Sequence, residues 1–118
     1  MGSPDTSRLN EAFGLLKNPR RRYVLYHLRN ESRSTDLDAL GRHVAAWETG
    51  TTVSEVSDES VKPVQTSLFH THLPKLDDAG LVTYEPETGA VEFEGTDLVG
   101  RFLDETAEYE YNTGVVAD

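Results

Sequence analysis

A chain of 118 residues can bury one modest core and build one domain, but not two. It has no cysteine, which excludes disulfides, zinc ribbons and thiolate catalysis. No apolar run approaches the roughly 18–20 residues that span a bilayer and no signal-peptide pattern is present, so a soluble cytoplasmic protein without membrane contact is expected. Acid outnumbers base 21 to 11, and the formal net charge of -10 argues, on its face, against a nucleic-acid partner.

Leu9, Ala12, Phe13, Leu15 and Leu16 recur at helical spacing and predict a first helix. Asn18-Pro19 closes it and opens a second, because Asn caps and Pro at the first helical position loses no needed donor. Tyr23, Val24, Tyr26, His27 and Leu28 give that helix its apolar face up to about Asn30. A polar turn from Glu31 to Ser34 follows, and Thr35 or Ser34 is expected to cap a third helix with the stripe Leu37, Leu40, Val44 and Trp47. Residues 48–60 read as a long loop anchored by Val53 and Val56.

The fourth helix is expected over about 60–76. Val61, Val64, Leu68, Phe69, Leu73 and Leu76 would form its buried face, and Lys62, Thr66, Ser67, His70, Thr71 and Lys75 the opposite one. Pro74 removes the hydrogen bond due to the His70 carbonyl, so a kink or break is expected there. Gly80 supplies a left-handed cap. Residues 81–84 and 90–93 flank a five-residue loop and predict a hairpin, followed by a last helix over about 96–110. The fold class is therefore mainly α with a small β-hairpin wing: a winged helix-turn-helix with a terminal helix, in one domain with its core over about 6–95.

The charge is unevenly placed. No Asp or Glu occurs from Ala12 to Asn30 or from Ser60 to Leu76, whereas Asp77 to Asp118 holds twelve acids and a single base, Arg101. Random placement would leave a given 17-residue stretch acid-free only about one time in thirty. Two such stretches suggest a face kept clear of negative charge, although buried helices avoid carboxylates in any case.

The segment Leu15-Leu16-Lys17-Asn18-Pro19-Arg20-Arg21-Arg22-Tyr23-Val24-Leu25 resembles the opening helices of ArsR-type winged-helix repressors. Residues 68–82, LFHTHLPKLDDAGLV, resemble their recognition helix and first wing strand. A closer likeness is to small haloarchaeal winged-helix proteins of poorly defined function, carried by Ala46-Trp47-Glu48, the loop after it, and Thr71-His72-Leu73-Pro74-Lys75-Leu76. The acid-rich composition with only three lysines resembles that of halophilic archaeal proteins. The chain departs from these patterns in three ways: only Lys62 stands at the start of the fourth helix, the metal-sensing cysteine pair is missing, and the wing carries Glu85, Glu87, Glu92 and Glu94.

The resemblance implies a transcriptional regulator that reads duplex DNA with its fourth helix. Lys62, Gln65, Thr66, Ser67, His70, Thr71 and Lys75 would bond base edges or phosphates. Arg20, Arg21 and Arg22 could touch phosphate from the start of the second helix, or pair with carboxylates of the acidic tail. Leu98, Phe102, Leu103 and Tyr109 on the terminal helix offer a homodimerisation stripe, or pack back on Phe13 and Leu16 within one chain. His70 and His72, two apart, diverge on a helix and cannot share a metal. No catalytic constellation stands out, so neither an enzyme nor a cofactor is expected. A module that binds a protein partner is the alternative, favoured by the acidic wing.

Overall fold

The computed structural model describes residues 6–95 and 97–112, with side-chain surroundings for 6–95 and 99–110. Its elements in order are α1 (Thr6–Leu16), α2 (Pro19–Asn30), β1 (Ser34–Asp36), α3 (Leu37–Thr49), α4 (Asp58–Ser67), a π turn (Leu68–His72), α5 (Leu73–Asp78), β2 (Val82–Glu85), β3 (Ala90–Phe93) and α6 (Asp97–Asn112). The architecture is mainly helical, with one small antiparallel sheet of order β1-β3-β2.

Local chemistry explains most of the boundaries. Asn18 Oδ1 accepts from the Arg20 amide at 2.9 Å, and Pro19 occupies the first helical position, so α2 starts where the Asn-Pro pair predicts. α3 ends at Gly50, whose φ of 69° lies in the left-handed region. α5 closes similarly: Gly80 has a φ of 79° and the Leu81 amide returns to the Leu76 carbonyl at 3.0 Å.

Four features differ from the sequence reading. The expected polar turn contains β1, which pairs Ser34 with Glu92, Thr35 with Val91 and Asp36 with Ala90. Three residues are too few to display alternation, and their partner lies more than fifty positions away. The cap of α3 is accordingly Asp36, not Thr35 or Ser34; its Oδ1 accepts from the Ala39 amide at 2.8 Å. The connection after α3 is shorter than expected, because Ser57 caps α4 and Asp58 and Glu59 form its first turn.

The fourth difference is the form of the break expected at Pro74. Rather than a simple kink, the chain makes a π turn in which the Leu73 amide donates to Leu68, five residues back. The five-residue step leaves Leu68 and Leu73 both fully buried, while Phe69, expected in the core, is 40% exposed.

The core gathers Val24, Leu25 and Leu28 of α2, Leu40 and Val44 of α3, Val61 and Val64 of α4, and Leu73 and Leu76 of α5. Tyr23 and Tyr26 stack around Trp47, with the Tyr23–Trp47 centroids 4.4 Å apart. Val82, Tyr84 and Val91 point inward from the sheet, leaving Thr83, Glu85 and Glu92 outside.

α6 lies antiparallel along α2. Arg22 meets Glu110, Tyr26 meets Thr106 and Glu110, and Arg29 meets Asp104, so rising positions on one helix pair with falling positions on the other. The stripe considered for dimerisation is partly used in this packing. Leu103 is fully buried within the chain, and Phe102 is half-buried with its ring centroid 4.9 Å from that of Phe13. Tyr109 is 74% exposed, and Leu98 lies outside the described side chains.

α3 and α4 approach closely at Gly41. A Cβ there would overlap Cγ of Gln65, whose amide is held by the Asp38 carboxylate at 2.7 Å and the Asp38 carbonyl at 3.3 Å. Gly41→Ala gains about 1 kcal/mol of helix propensity, but displacing Gln65 from a packed contact costs about 1–3 kcal/mol. Thermal unfolding is expected to show a lower midpoint for Gly41→Ala; an unchanged or raised midpoint contradicts this packing.

Candidate nucleic-acid interface

α4, the π turn and α5 form one rod whose outward side exposes Lys62, Pro63, Thr66, Phe69, His70, Thr71 and Lys75. No carboxylate interrupts it between Ser60 and Leu76. The hydroxyl of Thr66 donates to the Lys62 carbonyl at 3.0 Å, which leaves its oxygen able to accept from outside. The Phe69 and His70 rings meet nearly at right angles, with centroids 4.8 Å apart.

Two residues expected on this face are turned elsewhere. Gln65 reaches back to Asp38 on α3. Ser67 is half-buried, donates to the Val64 carbonyl at 3.0 Å and accepts from Arg20 at 2.8 Å.

The three arginines read as phosphate contacts are likewise committed within the chain. Arg20 clamps Glu48 through two bonds of 2.6 and 3.1 Å and holds Ser67. Arg21 is buried; it donates to the carbonyls of Leu15 at 2.7 Å and Gly14 at 3.0 Å, and lies 3.1 Å from Nδ1 of His72. Arg22 bonds Glu110 at 2.7 Å and the Leu16 carbonyl at 2.5 Å. The alternative reading, pairing with the acidic tail, is what Arg22 does, while Arg20 and Arg21 serve α1, α3 and the rod. The reason is geometric: successive residues on a helix diverge by about 100°, so a triplet cannot face one partner.

Guanidinium groups only donate, so Nδ1 of His72 must accept and its ring must be neutral. Burial is the main cause that lowers the His72 pKa to about 4, and the charges of Arg21, Arg20 and Lys75 add to it against Glu48. Burial also lowers His27 on α2, with His43 of α3 stacked on it at a centroid distance of 4.1 Å.

Acid surrounds the rod. Asp58 and Glu59 stand at its start, where Arg42 of α3 pairs with Asp58 at 2.9 Å. The hairpin exposes Glu85, Glu87, Glu92 and Glu94, the last accepting from Thr83 at 2.7 Å. Asp77 caps the hairpin entry by accepting from the Tyr84 amide at 2.9 Å. Among the described residues no group of three or more His, Asp or Glu side chains could hold a metal ion, and no helix is long and apolar enough to cross a membrane.

Residues 13–92, which run from the end of α1 through the rod and into β3, match a family profile. The chain belongs to the family described as Domain of unknown function (DUF7344). The match covers the whole rod and the arginine triplet, and stops before α6. No curated protein and no solved structure matches the chain.

Sequence reasoning missed that Phe69 faces outward. The signal was present in the five-residue interval between Leu68 and Leu73, which a regular helix places on different sides and a π turn aligns.

The buried His72 carries a pH signature. Its pKa is about 6.5 when unfolded and about 4 when folded, so the unfolded chain binds more protons between these values. The stability it contributes is full above pH 6.5 and is lost progressively as pH falls toward 4, by up to about 3 kcal/mol. In His72→Gln, the side-chain oxygen can accept from Arg21 without titrating. Denaturant unfolding is expected to show a flatter pH dependence between 6.5 and 5 for this variant than for the native chain. Parallel curves would contradict the assignment.

Proposed function

We propose that this chain is a winged-helix transcriptional regulator of a halophilic archaeon that binds duplex DNA as a homodimer. The observation that carries the reading is the rod's exposed, acid-free side, bearing Lys62, Thr66, His70, Thr71 and Lys75 on an otherwise acidic chain. The element order supports it: helix, short strand, helix, connection, rod and hairpin, with β1 completing the sheet, is the order of a winged helix-turn-helix. The rod enters the major groove, where hydroxyls, imidazole and lysines meet base edges and phosphates. Arg20 and Arg21 position the rod from within, through Ser67 and His72, rather than touching the backbone of DNA. Leu9, Phe13 and Tyr109, exposed on α1 and α6 beside the half-buried Phe102, supply apolar surface for a second copy.

The same surface sets the character of the binding. With two lysines on the rod, few counterions are released, so affinity should depend shallowly on salt, with a log–log slope of about -2 per protomer. At molar salt the Debye length is about 3 Å, and the -10 net charge then repels DNA little. Short-range hydrogen bonds and apolar contacts supply the specificity.

A protein-binding module is the second reading. Asp58 and Glu59 at the tip of the rod and the glutamates of the hairpin favour it, since both would approach phosphates.

The test is retention of a mixed genomic fragment pool from dilute to molar KCl. Selective retention of a few fragments at molar KCl, lost in Thr66→Ala/His70→Ala, is the expected result. No retention, or weak uniform retention confined to dilute salt, overturns the regulator in favour of a protein partner.

A further inference from the structure

Phe69 is the feature of the rod that hydrogen bonding to DNA does not use. A lone exposed apolar side chain is ordinary on a protein surface. This one is different in placement: it stands among Thr66, His70 and Thr71 on the face proposed to read DNA, and its ring packs against that of His70 nearly at right angles. It stands in the π turn that keeps both Leu68 and Leu73 in the core while the phenyl ring stays exposed.

In the major groove a single base edge is apolar: the C5-methyl of thymine, which Phe is suited to contact. The rod needs such a contact, because its two lysines neutralise little phosphate and Gln65, the side chain best fitted to adenine, is engaged by Asp38. We infer that Phe69 packs against the C5-methyl of a thymine in each half-site and makes that position specific for thymine. This rests on the DNA-binding reading. Burying one methyl corresponds to about fourfold in affinity per protomer, and about fifteenfold for a pair of half-sites.

The experiment uses a duplex retained from the genomic pool at molar KCl. Each thymine in turn is replaced by deoxyuridine, which removes the methyl and keeps every hydrogen-bonding edge. Affinity is read by fluorescence anisotropy for the native chain and for Phe69→Ala and Phe69→Leu, with melting curves for all three. The inference expects a position where deoxyuridine weakens the native chain by about fourfold per protomer. At that position Phe69→Ala should bind both duplexes equally and more weakly than the native chain, while Phe69→Leu keeps part of the discrimination. Insensitivity of the native chain to every deoxyuridine overturns it, as does discrimination undiminished in Phe69→Ala. In either case the DNA reading survives, because the duplex is still bound. If no duplex is retained at any salt, the DNA reading fails and the inference fails with it.

Discussion

Arg20, Arg21 and Arg22 leave the first turn of α2 in three directions, and the positions of the other helices depend on where they end. Arg20 ties α3 and the rod together through Glu48 and Ser67. Arg21 takes the last carbonyls of α1, which no helical amide can satisfy, and fixes the π turn through His72. Arg22 takes another α1 carbonyl and draws in α6 through Glu110. Each is a charge at least partly removed from water, which is tolerable only with several bonds in good geometry. The Asn18-Pro19 cap orients the turn from which all three depart.

The hub also shapes the surface. Three of the chain's eleven basic residues are spent on internal carbonyls and carboxylates, and of the bases in the Ala12–Asn30 stretch Lys17 is the exposed one. Between Ser60 and Leu76 the rod is free of acid, and its lysines are only two. A winged-helix reader built this way would rely on shape, hydroxyls and an exposed phenyl ring more than on charge. That allocation suits an acidic protein in concentrated salt, where long-range attraction is screened and contact chemistry is not.

How much was legible in the sequence follows from the range of the interactions. The start of α2 and the end of α5 were legible because Asn18, Pro19 and Gly80 act on their immediate neighbours. The start of α4 was less so, since Ser57 and Ser60 are both fit to cap and only burial of Val56 and Val61 separates them. β1 was not, because Ser34–Asp36 becomes a strand only once β3 supplies its partner. For the candidate site, the exposure of Lys62, Thr66, His70, Thr71 and Lys75 followed from helical spacing. The diversion of Gln65 to Asp38 and of Arg20 to Glu48 depended on helix–helix placement that no local pattern encodes.

The most direct test of this account is a nuclear magnetic resonance titration of the labelled protein with a retained duplex, following backbone amide shifts. The account predicts that the largest changes fall between Lys62 and Lys75, while residues 18–22 and the hairpin turn 85–89 stay nearly fixed. Largest changes at the arginine triplet or at the acidic hairpin would contradict it, because the hub would then be a contact surface and the rod a scaffold.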